Sequence, residues 1–270
     1  MHQLSTRRSA LAGALTAAVL LIVPACGDDS STGADDATTT PSASDSPKVV
    51  ASTSWVGAIA KLAGADDITV VAPSSAQHPP DYDPKASDLA AVADADYVLV
   101  AGFEGFAQRM KDAAGSDAKV ETVTPDYDPA KVKAEVDKLA KLWGTTAEAT
   151  ANVAAYTSDY EAAADDLQAS TKGTSETVVA QAFVAGWTAF AGFTPAGTYG
   201  PEPTTASKVA ELTALNPTLV FENSHMGGGA EIASASGAEL VNLVNFPGDD
   251  LDLMPVVEKN AKLITEATSG

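Results

Sequence analysis

Residues 145–173 read TTAEATANVAAYTSDYEAAADDLQASTKG, and this stretch decides the architecture. Val153, Tyr156, Tyr160, Ala163 and Leu167 recur at 3-4-3-4 spacing, with no Gly or Pro before Gly173. That is the period of one helical face. Thr145 and Glu148 supply a capping-box pattern at its start. At about 1.5 Å per residue such a helix runs on the order of 40 Å, enough to span two lobes.

Short apolar β runs alternate with Ala-rich helical patterns on both sides of it. Before it, Lys48–Thr53, Ile68–Val71, Tyr97–Val100 and Lys119–Val123 read as strands. Helical patterns separate them: Val56 to Gly64, a helix whose start signal is Ser87-Asp88, and Phe106 to Ala114. After it, Thr177–Ala180, Leu219–Phe221 and Leu240–Leu243 read as strands. Helices are expected around Ala182–Ala191, over Pro203–Ala214, beyond Gly229 and over Leu251–Ala267. Strands alternating with helices imply βαβ units and mostly parallel sheets. The expected fold class is therefore α/β: an N-terminal (β/α) lobe over 48–143, an interlobe helix over 144–173 and a C-terminal (β/α) lobe over 174–270. A ligand cleft is expected between the lobes.

The start of the chain reads as an export signal over residues 1–25. Arg7-Arg8 supply its charge, Leu11 to Val23 its apolar run, and Val23-Pro24-Ala25-Cys26 its end. A small residue before Cys suits lipoprotein processing, which would leave Cys26 as a lipidated N-terminus on the outer face of the cell membrane. The alternative is a plain secretory signal with an incidental Cys26. Ser5 to Leu11 also resembles a twin-arginine signal, so the export route stays open. Residues 26–47 carry five Asp, no base and no large apolar side chain, which marks an acidic tether that cannot offset its own ordering entropy.

The chain has 36 acids against 16 bases, a formal net charge of −20. Without Arg7 and Arg8 that becomes −22, a surface that repels phosphate backbones and excludes nucleic acid as a partner. The only Cys lies outside any folded core, which rules out disulfide frameworks, zinc ribbons and thiol catalysis. Of three His, His2 is in the leader, leaving His78 and His225. No Gly-x-Ser-x-Gly elbow or His-Glu-x-x-His helix occurs, so an enzyme is not expected.

Three loops sit just past strand ends, where open α/β sheets bind ligands. In Gln77-His78-Pro79-Pro80-Asp81-Tyr82-Asp83-Pro84 the prolines pin the backbone that presents His78; a surface His in a Pro-rich turn is the alternative. In Gly102-Phe103-Glu104-Gly105 the carboxylate of Glu104 either enters the cleft or caps the following helix. Glu222-Asn223-Ser224-His225-Met226 with Gly227 to Gly229 offers His225 as a metal ligand. Glu222 there is either a ligand or a buried hydrogen-bonding acid. His78 and His225, supplemented by Glu104 and Glu222, form an N/O set that suits Zn²⁺, with Mn²⁺ or Fe²⁺ open. An imidazole must be neutral to coordinate, so acidification should weaken binding.

The chain resembles the metal-binding lipoproteins of ABC importers for zinc and manganese. The resemblance rests on Val49 to Thr53, Asp81 to Leu89, Ala95 to Val98, Pro201-Glu202-Pro203, the strand ending in Glu222, Ile232-Ala233, and Ser236-Gly237-Ala238. It implies two lobes on a rigid helix with metal between them, a monomer, and an ABC importer permease as membrane partner. It also exposes departures. Pro80 stands where the family places its first His, Ala130 follows Asp128-Pro129 in place of the second, and Ala180 replaces the third, with Gln181 beside it as a weaker candidate. The family's acidic ligand would fall near Asn245. Other readings left open are a receptor for a chelated metal or small organic solute, a surface metallochaperone, and a metal-dependent hydrolase using Asp81, Asp83 or Glu104.

Overall fold

The computed structural model describes residues 46–269. The export signal, Cys26 and nearly all of the tether lie outside the described residues. Among the described residues no helix is long and apolar enough to cross a membrane.

The N-terminal half runs β1 (Val49–Thr53), α1 (Ser54–Leu62), β2 (Ile68–Ala72), α2 (Ala86–Ala93), β3 (Tyr97–Val100), α3 (Ala107–Ala113), β4 (Lys119–Thr122) and α4 (Pro129–Trp143). Then comes α5 (Thr146–Thr171), followed by β5 (Val178–Gln181), α6 (Gly186–Phe190), β6 (Pro195–Tyr199), α7 (Ala206–Thr213), β7 (Leu219–Asn223), α8 (Ala230–Ser236), β8 (Glu239–Leu243) and α9 (Met254–Thr268). The strands form two four-stranded sheets, ordered β2-β1-β3-β4 and β6-β5-β7-β8. Every pairing is parallel.

Strand periodicity sorts the core into layers. Val49, Ala51, Tyr97 and Leu99 from one sheet, and Val178, Ala180, Leu219 and Phe221 from the other, join one continuous core with α1, α4, α5 and α9. The alternate residues Val50, Val98 and Val100 pack outward with Phe106 and Met110 of the N-terminal lobe. Val179 and Val220 do the same with Leu212 and Ile232 of the C-terminal lobe. Two sheets thus sandwich a shared helical layer, and α5 packs against both α4 and α9 within it. Its buried residues include Val153, Tyr156 and Leu167 of the stripe seen in the sequence.

Several local expectations need correction. Thr145 makes no capping bond to α5; its Oγ1 instead donates to Ala63 O at 2.5 Å, tying the start of α5 to the end of α1. Gly64 (φ 91°) completes that junction, since a Cβ there would lie 2.9 Å from Thr145 Cβ. The helix expected over Ala182–Ala191 is a 3₁₀ turn at Ala182–Val184 and then the short α6. The one expected from Pro203 begins only at Ala206, where Thr205 Oγ1 accepts from Lys208 N. The last helix starts at Met254, whose N donates to Asp252 Oδ1 at 2.9 Å. Strand β6 reads poorly because it holds Pro195 at its first position and Gly197 within. Both are tolerated at a sheet edge, and Gly197 lets α7 approach, since a Cβ would meet Leu212 Cδ2 at 2.7 Å.

Tyr127, just past β4, knits these parts together. Its Oη donates to Asn245 O at 2.8 Å, and its own carbonyl accepts from Tyr156 Oη of α5 at 2.6 Å. Burial, and then the neighbouring Tyr156 and Asp126, push the Tyr127 phenol up. Burial likewise raises Tyr156, Tyr160 and Tyr199. Folding holds these phenols neutral, so their contribution is full below the ordinary phenol value of about 10 and is lost as pH climbs through the raised folded values. In an ultraviolet titration, four of the six tyrosines should ionise only together with unfolding seen by circular dichroism. Ionisation of all six at the ordinary value, with the fold intact, would contradict this packing.

Candidate functional site

In each sheet the chain leaves the central pair of strands in opposite directions, β1 against β3 and β5 against β7, which is the switch point where α/β sheets bind ligands. The loops leaving the C-terminal ends of both sheets meet across a single cleft of ≈ 890 Å³. Trp55 enters it after β1, His78 after β2, Phe103 after β3 and Asp126 to Asp128 after β4. From the other lobe come Phe183 after β5, His225 after β7, and Asn245 with Phe246 after β8. Trp187, Tyr160 and Phe190 line it from α6 and α5.

The segment after β8 clamps the two lobes along this cleft. Ser54 Oγ donates to Pro247 O at 2.7 Å, Lys61 Nζ to Asp250 O at 2.6 Å, and Ser74 Oγ to Asp249 Oδ1 at 2.6 Å. Trp55 stacks on Tyr127 with ring centroids 5.0 Å apart and meets Phe246 edge-on at 5.9 Å.

The His78 loop is rigid for reasons visible in its residues. Pro79–Asp81 form a 3₁₀ turn, closed by Asp81 N donating to His78 O at 3.0 Å. Pro80 O accepts from Gly105 N at 3.0 Å, while Arg109 pairs with Asp83 at 2.6 Å and donates to Pro84 O at 2.9 Å. Within this frame His78 Nδ1 lies 2.7 Å from Asp81 Oδ2. His225 follows an Asx turn in which its N donates to Asn223 Oδ1 at 3.0 Å. Its ring stands edge-on to Phe246 at 5.0 Å, and its Nδ1 lies 2.9 Å from Gln77 O across the cleft. A carbonyl oxygen only accepts, so the His225 proton sits on Nδ1; a carboxylate draws the His78 proton to Nδ1 in the same way. Each ring is left with Nε2 as its free lone pair, the arrangement that outer partners impose on metal-ligating imidazoles.

The structure brings His78 and His225 into one cleft but places the other expected ligands elsewhere. Glu104 is buried, and its carboxylate accepts from Ser52 Oγ, from Ala101 N at 2.9 Å and from Gly102 N at 2.7 Å. It braces the turn after β3 and does not line the cleft. Glu222 accepts from Gly229 N at 2.6 Å and closes the glycine-rich loop before α8. Gln181 is buried: its Oε1 accepts from Phe183 N at 2.7 Å and its Nε2 lies 3.5 Å from Met226 Sδ. It borders a separate pocket of ≈ 430 Å³ beside Pro201 and Pro203. Asp81, Asp83 and Glu104, named for a hydrolytic alternative, are each committed to a different partner. Among the described residues no group of three or more His, Cys, Asp or Glu is placed to hold a metal.

Apart from His78, His225 and the Asn245 position already marked by the resemblance, most residues of the cleft wall do not stand out in the sequence. Asn245 is buried with no hydrogen-bond partner for its Oδ1, and the buried Trp55 Nε1 is likewise unpartnered. Asp126 and Asp128 are the acids that line the cleft, where Asp126 pairs with Lys131 at 2.7 Å. That hydrogen bond holds the Lys131 ammonium above its ordinary value. The strand-end rule that singled out His78 would have found Trp55 and Asp126 had it been applied to β1 and β4.

No protein-family profile matches the chain. Its structure resembles the AdcAII protein of Streptococcus pneumoniae, with TM-score 0.60 and 20% identity over 82% of this chain and 98% of that one. The SBP FpvC of P. aeruginosa, solved in complex with a Ni²⁺ ion, matches at TM-score 0.62 and 18% identity over 82% and 94%. The laminin-binding protein Lmb of Streptococcus agalactiae, described as bifunctional with adhesin and metal transporting activity, matches at 0.61 and 18% over 82% and 99%. At such identities the likeness establishes the fold: two parallel-sheet α/β lobes on a shared helical layer.

Proposed function

We propose that the protein is an extracytoplasmic receptor that captures a divalent transition metal and delivers it to the permease of an ABC-type importer. Zn²⁺ is the leading cargo, with Mn²⁺ and Fe²⁺ as alternatives, since the donors are nitrogen and oxygen. Lipidation of Cys26 would hold it at the outer face of the membrane, as a monomer. The observation that carries the reading is the pair of imidazoles, one from each lobe in a single cleft, each anchored at Nδ1 and leaving Nε2 free. Two structural neighbours add to it, one solved with Ni²⁺ and one described with metal transporting activity. The protein would bind and release its cargo without turnover.

The site residues follow from the same geometry. His78 and His225 are the ligands, and the unpartnered Oδ1 of Asn245 is the oxygen available for a third position. Glu222 closes the loop that carries His225, while Glu104 braces the turn after β3 and is not a ligand. Asp81 and the Gln77 carbonyl act on the metal through the imidazoles they orient; losing such a partner typically lowers metal affinity by about 10–100-fold.

Calorimetric titration of metal-stripped protein with Zn²⁺ should show one site, weakened at least about tenfold by His78→Ala or by His225→Ala, a loss of about 1.4 kcal/mol. Binding should also weaken as the solution is acidified, because protonated imidazole cannot coordinate. Absence of heat and of thermal shift with Zn²⁺, Mn²⁺ and Fe²⁺ would remove the proposal. Glu104→Ala should act differently. It strands Ser52 Oγ and two backbone N–H groups, costing about 1–3 kcal/mol of stability in a denaturant titration, while Zn²⁺ affinity stays within about twofold, under about 0.5 kcal/mol. A loss of Zn²⁺ binding without a loss of stability would instead make Glu104 a ligand.

A further inference from the structure

The cleft is too large and too aromatic for a bare ion. Six waters at about 30 Å³ each make a hydrated ion of about 180 Å³, whereas the cleft holds ≈ 890 Å³. That is the size of small-molecule sites, roughly 300–1,000 Å³. Two imidazoles fill two positions of a four-coordinate shell, and the described residues bring no group of three His, Cys, Asp or Glu together to complete it. Phe103 and Phe183, one from each lobe, line the cleft while 51% and 55% exposed. Large apolar side chains at that exposure, one on each lobe beside the same cleft, mark a surface that an organic group covers.

We propose that the cargo enters as a chelate: a divalent metal already held by a small planar aromatic N/O donor, which His78 and His225 cap through Nε2. This rests on the metal-binding reading above and names its substrate class. The exposed rings of Phe103 and Phe183 receive the flat chelator by stacking, while Trp187 and Phe190, each 4% exposed, are already packed against each other in the cleft wall. The two cleft acids, Asp126 and Asp128, outnumber Lys131, whose charge Asp126 already meets. The field therefore selects a neutral or cationic complex over an anionic one. No bond to the chelator breaks on capture; the imidazoles displace only the waters that complete the metal's shell.

The test compares three probes by calorimetry on the whole protein: Zn²⁺ alone, 2,2′-bipyridine alone, and their equimolar complex. The complex should bind about tenfold tighter than Zn²⁺ alone, about 1.4 kcal/mol, and free bipyridine should not bind. The paired substitutions Phe103→Ala and Phe183→Ala change exposed side chains, so the fold should survive. They should remove most of the complex's advantage while weakening Zn²⁺ alone far less. Zn²⁺ alone binding as tightly as the complex would overturn the chelate and leave the metal receptor standing. Binding of free bipyridine as tightly as its zinc complex, unaffected by His78→Ala with His225→Ala, would overturn the metal reading itself.

Discussion

Everything in the cleft depends on the burial of Tyr127. One residue touches the three parts that must be held in register: its ring meets Trp55 of the N-terminal lobe and Trp187 of the C-terminal lobe, its hydroxyl donates to the Asn245 carbonyl, and its own carbonyl accepts from Tyr156 of the long helix α5. A net buried hydrogen bond contributes about 1 kcal/mol, and a packed aromatic pair about 0.5–1.5 kcal/mol beyond its area. Two of each converge on this residue, so the relative placement of the lobes is a property of one well-packed junction. The clamp from Pro247 to Asp250 adds three further hydrogen bonds on the same side.

That junction explains how two imidazoles far apart in the chain come to line one cleft. The loops are pinned, by two prolines and an Arg–Asp pair around His78 and by an Asx turn before His225. Neither loop could set the distance between the rings alone, because each belongs to a different sheet. The hydrogen bond between His225 and the Gln77 carbonyl couples them directly. The position of the His225 ring thus depends on a contact made by the opposite lobe.

Much of the fold was legible because it rests on periodicity. The short apolar runs of β1, β3, β5 and β7, buried on both faces and alternating with helical patterns, and the stripe of α5 are strong signals, and they point to two parallel sheets around a helical layer. Helix α4 carries Asp128 as its cap, Pro129 in its first turn and Gly144 in the left-handed conformation at its end; these signals are clear, yet the sequence reading passed over them. β6 was not legible, since an edge strand tolerates the Pro and Gly that argue against a strand. Strand-end position found the right loops but could not tell which way a carboxylate points. Glu104 and Glu222 sit where ligands would sit and turn back to satisfy backbone N–H groups. The aromatic wall was hidden for a different reason: Trp55, Tyr127, Trp187 and Phe246 are dispersed over the chain, and only the meeting of the two lobes assembles them.

On the proposed function, His78 and His225, from opposite lobes, bind the same metal ion. X-ray absorption at the zinc edge of the loaded protein tests it most directly, because multiple scattering from imidazole rings counts them. Two imidazoles on each metal are expected, with oxygen or nitrogen atoms in the remaining positions and no sulfur. A spectrum with no imidazole scattering, or with a single ring that survives loss of either histidine, would contradict it.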